Sequence, residues 1–244
     1  MPRAAILMYH NIAQPPPGVK LRNLYVTPAM FRFQMWYLKT AGFRVVTLDQ
    51  MRSFAVGRFH QSGIDKMVAL TFDDGFTDFY VNAFPILQQY GYPATVYLVS
   101  DYIGGMNYWD AAKLQAEKPL MDWDMISELH KNGITFGSHT RTHPFLTEVS
   151  EARAYDEIVT SKAILEERLG ASVDHFCYPS GNYDDRIASM VRGAGYVTAT
   201  TVRRGFVEPG DDPFTLKRIQ VAYRTYPPSF VYKLHSDYEK RKSR

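Results

Sequence analysis

Leu70-Thr71-Phe72-Asp73-Asp74-Gly75 takes the chain from an apolar run straight into two adjacent carboxylates and a glycine. The run starts at Met67 and reads as a buried strand, with Asp-Asp-Gly as the turn that ends it. A second stretch has the same form. The run 134–137 leads into Ser138-His139-Thr140-Arg141-Thr142-His143, which sets two imidazoles four residues apart. Gly137 before the pair and Pro144 after it place the histidines on a loop. One carboxylate and two histidines make a three-ligand metal site with open positions. The remaining carboxylate is then left to act as a base beside it. This is the equipment of a metal-assisted hydrolase.

Outward from these stretches, short apolar runs alternate with segments that carry helix signals. The strand candidates are 4–9, 43–46, 67–71, 94–99, 134–137, 175–178, 197–201 and 216–221. Thr27-Pro28 is an N-cap followed by proline at the first helical position, and that helix stops at Gly42. Further helices run from Thr77 to Gly91, from about Trp123 to Gly133, from Ser150 to Gly170, and from Asp184 to Gly193 or Gly195. Alternation over this length predicts an α/β domain with a parallel sheet, open or closed into a barrel. No repeat, low-complexity tract or linker divides residues 1–244, and 236–244 read as a frayed tail. Residues 101–121 are long for a strand-to-helix loop and read as an insertion over one face.

The chemically distinctive residues share a position. Tyr9-His10, Asp73-Asp74, His139, His143 and Pro179-Ser180-Gly181 each follow a strand. In a βα barrel those ends meet on one rim, where active sites lie.

Thr71-Phe72-Asp73-Asp74-Gly75 and His139-Thr140-Arg141-Thr142-His143 resemble the first two motifs of the polysaccharide deacetylases, carbohydrate esterase family 4. The resemblance implies a distorted (β/α) barrel with about seven parallel strands and removal of acetyl groups from N-acetylated sugars. It also implies one divalent metal, usually Zn²⁺, with Co²⁺, Ni²⁺ or Fe²⁺ as alternatives. Carried over, Asp73 is the base, and Asp74, His139 and His143 are the ligands. Phe176-Cys177-Tyr178-Pro179-Ser180-Gly181 resembles the third motif. Its backbone N–H near Ser180 serves the oxyanion, with Tyr178 and Pro179 beside the substrate.

The chain departs from the family pattern in three places. Many members have arginine where Cys177 stands, bracing the catalytic aspartate; Arg218, on the last strand, is the candidate replacement. The fourth motif is not recognisable around 197–202. The fifth, a C-terminal leucine-x-histidine that supplies the acid, is missing, and Leu234-His235 falls in a helix past the final strand. These departures resemble the permuted branch that deacetylates poly-N-acetylglucosamine, in which an N-terminal histidine is the acid. Met8-Tyr9-His10 matches that pattern. His10 is therefore expected to be the general acid, on the face opposite Asp73, histidine being the usual proton donor near neutral pH. Trp109, Asp110 and Trp123 are candidates to line a sugar groove. His60, His130, His175 and His235 match no motif and read as structural or exposed.

Composition narrows the classes. Of the 244 residues, 45% are hydrophobic, enough for a sizeable core. Net charge is +3, from 28 basic and 25 acidic residues, and much of the excess sits in Lys240-Arg241-Lys242-Ser243-Arg244. No basic stripe along the chain suggests nucleic acid as a partner. Cys177 is the only cysteine, which excludes an intrachain disulfide. The N-terminal apolar run is too short for a signal peptide and no run is long enough to span a membrane, so the expected location is cytoplasmic. Three readings compete: an N-deacetylase, an O-acetyl esterase or non-sugar amidase on the same site, and a carbohydrate-binding protein without activity.

Overall fold

The computed structural model describes residues 3–59, 66–109 and 117–241. Its strands are β1 (Ala5–Tyr9), β2 (Arg44–Val46), β3 (Met67–Phe72), β4 (Thr95–Leu98), β5 (Thr135–Ser138), β6 (His175–Cys177), β7 (Thr198–Arg204) and β8 (Leu216–Gln220). All pair in parallel. Seven close into a barrel in the order β1-β8-β7-β6-β5-β4-β3, with β3 returning to β1 through Leu7 opposite Leu70. β2 is the extra strand, paired with the start of β3 through Val46 opposite Ala69. The expected barrel of about seven strands is present, and all eight strand candidates are strands.

The helices are α1 (Pro28–Thr40), α2 (Leu48–Ala55), α3 (Phe84–Tyr90), α4 (Trp123–Lys131), α5 (Glu151–Leu169), α6 (Asp185–Gly193), α7 (Pro227–His235) and α8 (Tyr238–Arg241). The side chains of Thr27, Asp122, Ser150 and Asp184 accept hydrogen bonds from backbone N–H groups at the starts of α1, α4, α5 and α6. The helix expected from Thr77 is not uniform: Phe79–Ala83 is a π-turn before α3. Pro85 explains it, because proline lacks the N–H and crowds the carbonyl four residues back. α2 lies outside the helices expected from sequence, although Thr47 and Gln50 form a capping box at its start. Among the described residues no helix is long and apolar enough to cross a membrane.

The period of two along each strand sorts side chains between two layers. Leu7, Val68, Leu70, Phe72, Val96, Phe176 and Ile219 join the large cluster between barrel and helices. Each such buried side chain contributes about 1.5–3 kcal/mol of transfer free energy, largely offset by chain entropy. Ile6, Ala69, Tyr97, Cys177 and Leu216 belong to a second cluster, joined by Leu48, Met51 and Phe54 of α2. On β5, a Cβ at Gly137 would meet the Tyr97 ring at 2.6 Å and the His175 carbonyl oxygen at 2.7 Å, so only glycine fits beside Tyr97. Following the second cluster's period along the chain reaches Met8 and His10 from Ile6, Asp73 from Ala69, His139 from Gly137, and Arg218 and Gln220 from Leu216. The mouth of the barrel is built from these residues.

Candidate active site

Arg218 is 1% exposed, at the centre of the barrel mouth. Its guanidinium donates to both carboxylate oxygens of Asp73, at 2.7 and 2.8 Å, a forked charge-assisted pair. The rest of the fork is also occupied. Nε donates to the Thr201 carbonyl at 2.8 Å, Nη1 to Thr71 Oγ1 at 3.2 Å and Nη2 to Cys177 Sγ at 3.2 Å. Arg218 is thus paired with Asp73, and the Cys177 thiol lies against the same guanidinium. Burial pushes the Asp73 pKa up, but the Arg218 charge and hydrogen bonds outweigh it and hold the carboxyl well below its usual range. His10 Nε2 lies 3.7 Å from Asp73 Oδ2. This corrects the sequence expectation, because His10 stands beside Asp73 and not across the site from it. The reason is parity: His10 and Asp73 continue the inward faces of neighbouring strands. Burial lowers the His10 pKa to about 4, against the partial pull of Asp73, so the imidazole is neutral at pH 7.

Asp74 has a different environment. Strict alternation would turn it outward, but its φ of 77° swings it back to the mouth. Gly75 follows with φ 76°, and a Cβ there would meet Leu98 Cδ2 at 2.7 Å. Asp74 Oδ1 lies 3.6 Å from His139 Nε2 and 3.7 Å from His143 Nε2. One ligand atom from each of the three residues falls within 4.8 Å of the others, a spacing that one ion can bridge. The His139 ring is already oriented as a ligand. Its Nδ1–H donates to the Cys177 carbonyl at 2.7 Å, which leaves Nε2 facing Asp74. Burial, then the charge of His139, depresses the His143 pKa well below its usual value, keeping it in the neutral form a ligand needs. Two imidazoles and a carboxylate suit a divalent ion of the zinc type.

Loop strain and one buried carboxylate hold this arrangement. Among the described residues, the non-glycine positions with positive φ are Asp74, Thr140, His143 and Ser180, all in the motif loops. For β-branched Thr140 this is a true outlier. Glu157 of α5, fully buried, accepts hydrogen bonds from the N–H groups of Arg141 and Thr142, at 2.9 and 2.8 Å, and from Thr142 Oγ1 at 2.6 Å. Arg153 balances its charge at 2.6 Å. Sequence reasoning missed Glu157. The available signal was a carboxylate on the same helical face as Ala154, Ile158, Ser161 and Leu165.

Ser180 lines the cleft, in a turn where Pro179 carries no N–H. The N–H groups of Tyr178, Gly181 and Asn182 are committed to the carbonyls of Thr200, Tyr178 and Pro179. Tyr178 also lines the cleft, but its hydroxyl donates to the Phe214 carbonyl at 2.9 Å, while Pro179 is buried. Trp109 stacks on the His143 ring with centroids 5.0 Å apart, and its indole N–H is buried without a hydrogen-bond partner. Asp110 and His60 lie outside the described residues. Trp123 is not at the mouth: it packs under Arg168, 5.2 Å from its ring, in the outer layer. His235 is also remote, its Nε2 2.9 Å from the Tyr37 hydroxyl on α1. The cleft has a volume of ≈ 520 Å³. Leu21, Leu24, Val202, Arg204 and Gln220 complete its wall. None of them carries a local motif that would have revealed it.

The geometry can be set beside known proteins. The family profile described as polysaccharide deacetylase matches residues 60–199, more than half of the chain. This chain belongs to the polysaccharide deacetylase family. The matched span contains Asp73, Asp74, His139, His143 and Ser180, whereas His10 and Arg218 fall outside it. The poly-β-1,6-N-acetyl-D-glucosamine N-deacetylase of Staphylococcus epidermidis is 25% identical over 240 residues, covering 90% of this chain and 79% of that protein. Two solved structures superpose over nearly the whole chain. The Streptococcus pyogenes deacetylase PplD, in complex with acetate, matches with a TM-score of 0.81 and 25% identity, covering 96% of this chain and 98% of that one. IcaB from Ammonifex degensii matches with a TM-score of 0.82, the same identity and the same coverage.

Proposed function

We propose that this chain is a metal-dependent N-deacetylase of N-acetylated sugars or polysaccharides, releasing acetate. The observation that carries the reading is the split between the two adjacent carboxylates: Asp74 faces two imidazoles, and Asp73 beside it is locked to a buried arginine. Family membership and the deacetylases named among the relatives support it. Acetate, present in the PplD complex, is the product expected here.

Asp74, His139 and His143 would hold the ion, most simply Zn²⁺. When bound, a divalent ion there polarises the acetyl carbonyl and lowers the pKa of an attacking water toward about 7. The chain's own groups do the rest. Arg218 keeps Asp73 ionised and fixed, so Asp73 accepts the water's proton without moving. The same clamp makes Asp73 a weak base. His10 stands beside it, its pKa lowered by burial to about 4. The 3.7 Å gap gives a proton arriving at Asp73 a route to His10, by a small approach or through one water. His10, now an imidazolium paired with Asp73, hands the proton to the departing nitrogen. This keeps His10 as the acid, but as one loaded during the reaction. The developing oxyanion takes a hydrogen bond from the Ser180 N–H, in the turn that lines the cleft.

The test is acetate release from N-acetylglucosamine oligomers by purified protein of measured metal content. The reading requires release that stops on chelation and returns with added Zn²⁺ or Co²⁺. Full activity in metal-free protein contradicts it. Release from O-acetyl esters but not from acetamides moves the protein to the esterase reading.

A further inference from the structure

The catalytic cleft does not end at the barrel mouth. Arg204 and Gln220 line both it and a second cleft of ≈ 490 Å³. Asn23 and Arg224 line that cleft and a third, of ≈ 470 Å³. The three clefts adjoin through these shared residues, between the loop after β1 and the segment after β8. Their outer wall is cationic, with Lys20, Arg22, Arg204, Arg224 and Lys233. Among the described residues no carboxylate lines the second or third cleft. Buried Glu239 lies behind the wall, pairing with Lys233 and standing 3.8 Å from Arg204. It neutralises one of those two charges. Lys20, Arg22 and Arg224 are exposed and have no ion-pair partner among the described residues. The guanidinium of Arg22 lies 4.7 Å from the centre of the Tyr223 ring, and Tyr226 beside it is 53% exposed.

A neutral sugar needs hydrogen-bonding groups and apolar faces, not a row of unpaired cations. A groove that already has amide and aromatic groups gains nothing for such a sugar from the cations, and like charges in a row repel. Arginine forks fit carboxylates and phosphates, and a tyrosine under the guanidinium holds one fork in place. The charge also acts after reaction, because deacetylation leaves an ammonium group that this wall repels.

We infer that the groove binds an acidic glycan, in which N-acetylated sugars are joined to units carrying carboxylate or phosphodiester groups. The anionic units lie along the Arg204–Arg224–Arg22 wall while an N-acetylated unit occupies the mouth. This rests on the deacetylase reading for the mouth, but the groove's preference is measurable without catalysis.

The experiment is calorimetric titration of the metal-loaded full chain with four oligomers of equal length. One alternates glucuronate and N-acetylglucosamine, and one is its carboxyl-reduced counterpart. One carries N-acetylglucosamine on a glycerol-phosphate backbone, and one is neutral N-acetylglucosamine alone. At least one acidic oligomer should bind about tenfold tighter than the neutral ones, and more weakly as salt rises. Which acidic oligomer wins identifies carboxylate or phosphate as the partner group. The doubly substituted Arg22→Gln, Arg224→Gln protein should lose that preference and much of the salt dependence. Both positions are exposed, so the core is untouched. Equal affinity for acidic and neutral oligomers, or a preference that survives the double substitution, overturns the inference. Acetate release, scored separately on the same oligomers, decides the deacetylase reading: binding without release removes that reading and leaves this one standing.

Discussion

Asp73 and Asp74 are neighbours in sequence and share one cleft, yet the barrel gives them opposite surroundings. Asp73 lies on the β1–β8 side, saturated by a buried guanidinium and with a neutral imidazole at its flank. Asp74 is turned by a left-handed backbone toward two imidazoles on the β5 side. Identical side chains thus become a proton acceptor and a ligand through what each one touches. The first side is stabilised by a completed ion pair. The second is three donors converging from two strand ends, with Glu157 and strained loops holding them.

The largest effect should come from breaking the first side. Arg218→Gln leaves Asp73 as an unpaired buried charge and should cost about 3–5 kcal/mol in chemical denaturation. Arg218→Lys restores charge but not the fork, and should fall between that variant and wild type. Wild-type stability in Arg218→Gln would show that the pair is not what anchors the mouth.

Glu157→Gln probes the second side. It removes the charge that gathers the Arg141 and Thr142 amides and loosens the loop carrying both histidines. Metal affinity should fall by about 10–100-fold, the scale of residues that support ligands without touching the ion. Equilibrium dialysis checks this, and an unchanged affinity would mean the loop holds its shape without Glu157.

His10→Ala should reduce acetamide hydrolysis by about 10²-fold or more and affect an activated ester less, since a good leaving group needs no proton. Equal losses on both substrates would remove the proton-donor role.

The His10 environment is also open to direct reading. Its imidazole should titrate by NMR near 4, and Asp73→Asn should lower that value further, because the Asp73 charge is what holds it up. The neutral form works in the relay, so a rate limb due to His10 should be lost as pH falls through about 4. Titration well above about 7 would restore the simpler picture of an acid already protonated at rest.

The smallest effect belongs to His235→Ala. It should leave kcat unchanged and cost only about 0.5–1.5 kcal/mol of stability, the worth of its hydrogen bond to Tyr37.

The local chemistry of the site was legible because it is written in short stretches. The apolar run into Asp73-Asp74 and the paired histidines carry their strand positions with them, and the period of two already points Asp73 inward. What depends on distant pairing was harder to see. Arg218 acts on a residue 145 positions away, so only the vacancy left by Cys177 suggested it. The side on which His10 stands depends on β1 lying next to β3, which alternation alone does not decide. Glu157 looked like the polar half of an amphipathic helix. The basic rim escaped for the same reason: Lys20, Arg22, Arg204 and Arg224 make no run along the chain and meet only when the barrel closes. Trp123 was misplaced because aromatic character alone does not choose between groove and outer layer.

The division of labour between the two carboxylates is tested most directly by a paired measurement of metal content and kcat in Asp73→Asn and Asp74→Asn. The first should retain one ion per chain and lose about 10²–10⁴-fold in kcat, as expected for loss of a general base. The second should lose the ion as well as the activity. If both variants lose the metal, or if Asp73→Asn turns over at nearly the wild-type rate, the two aspartates do not have the separate roles assigned to them.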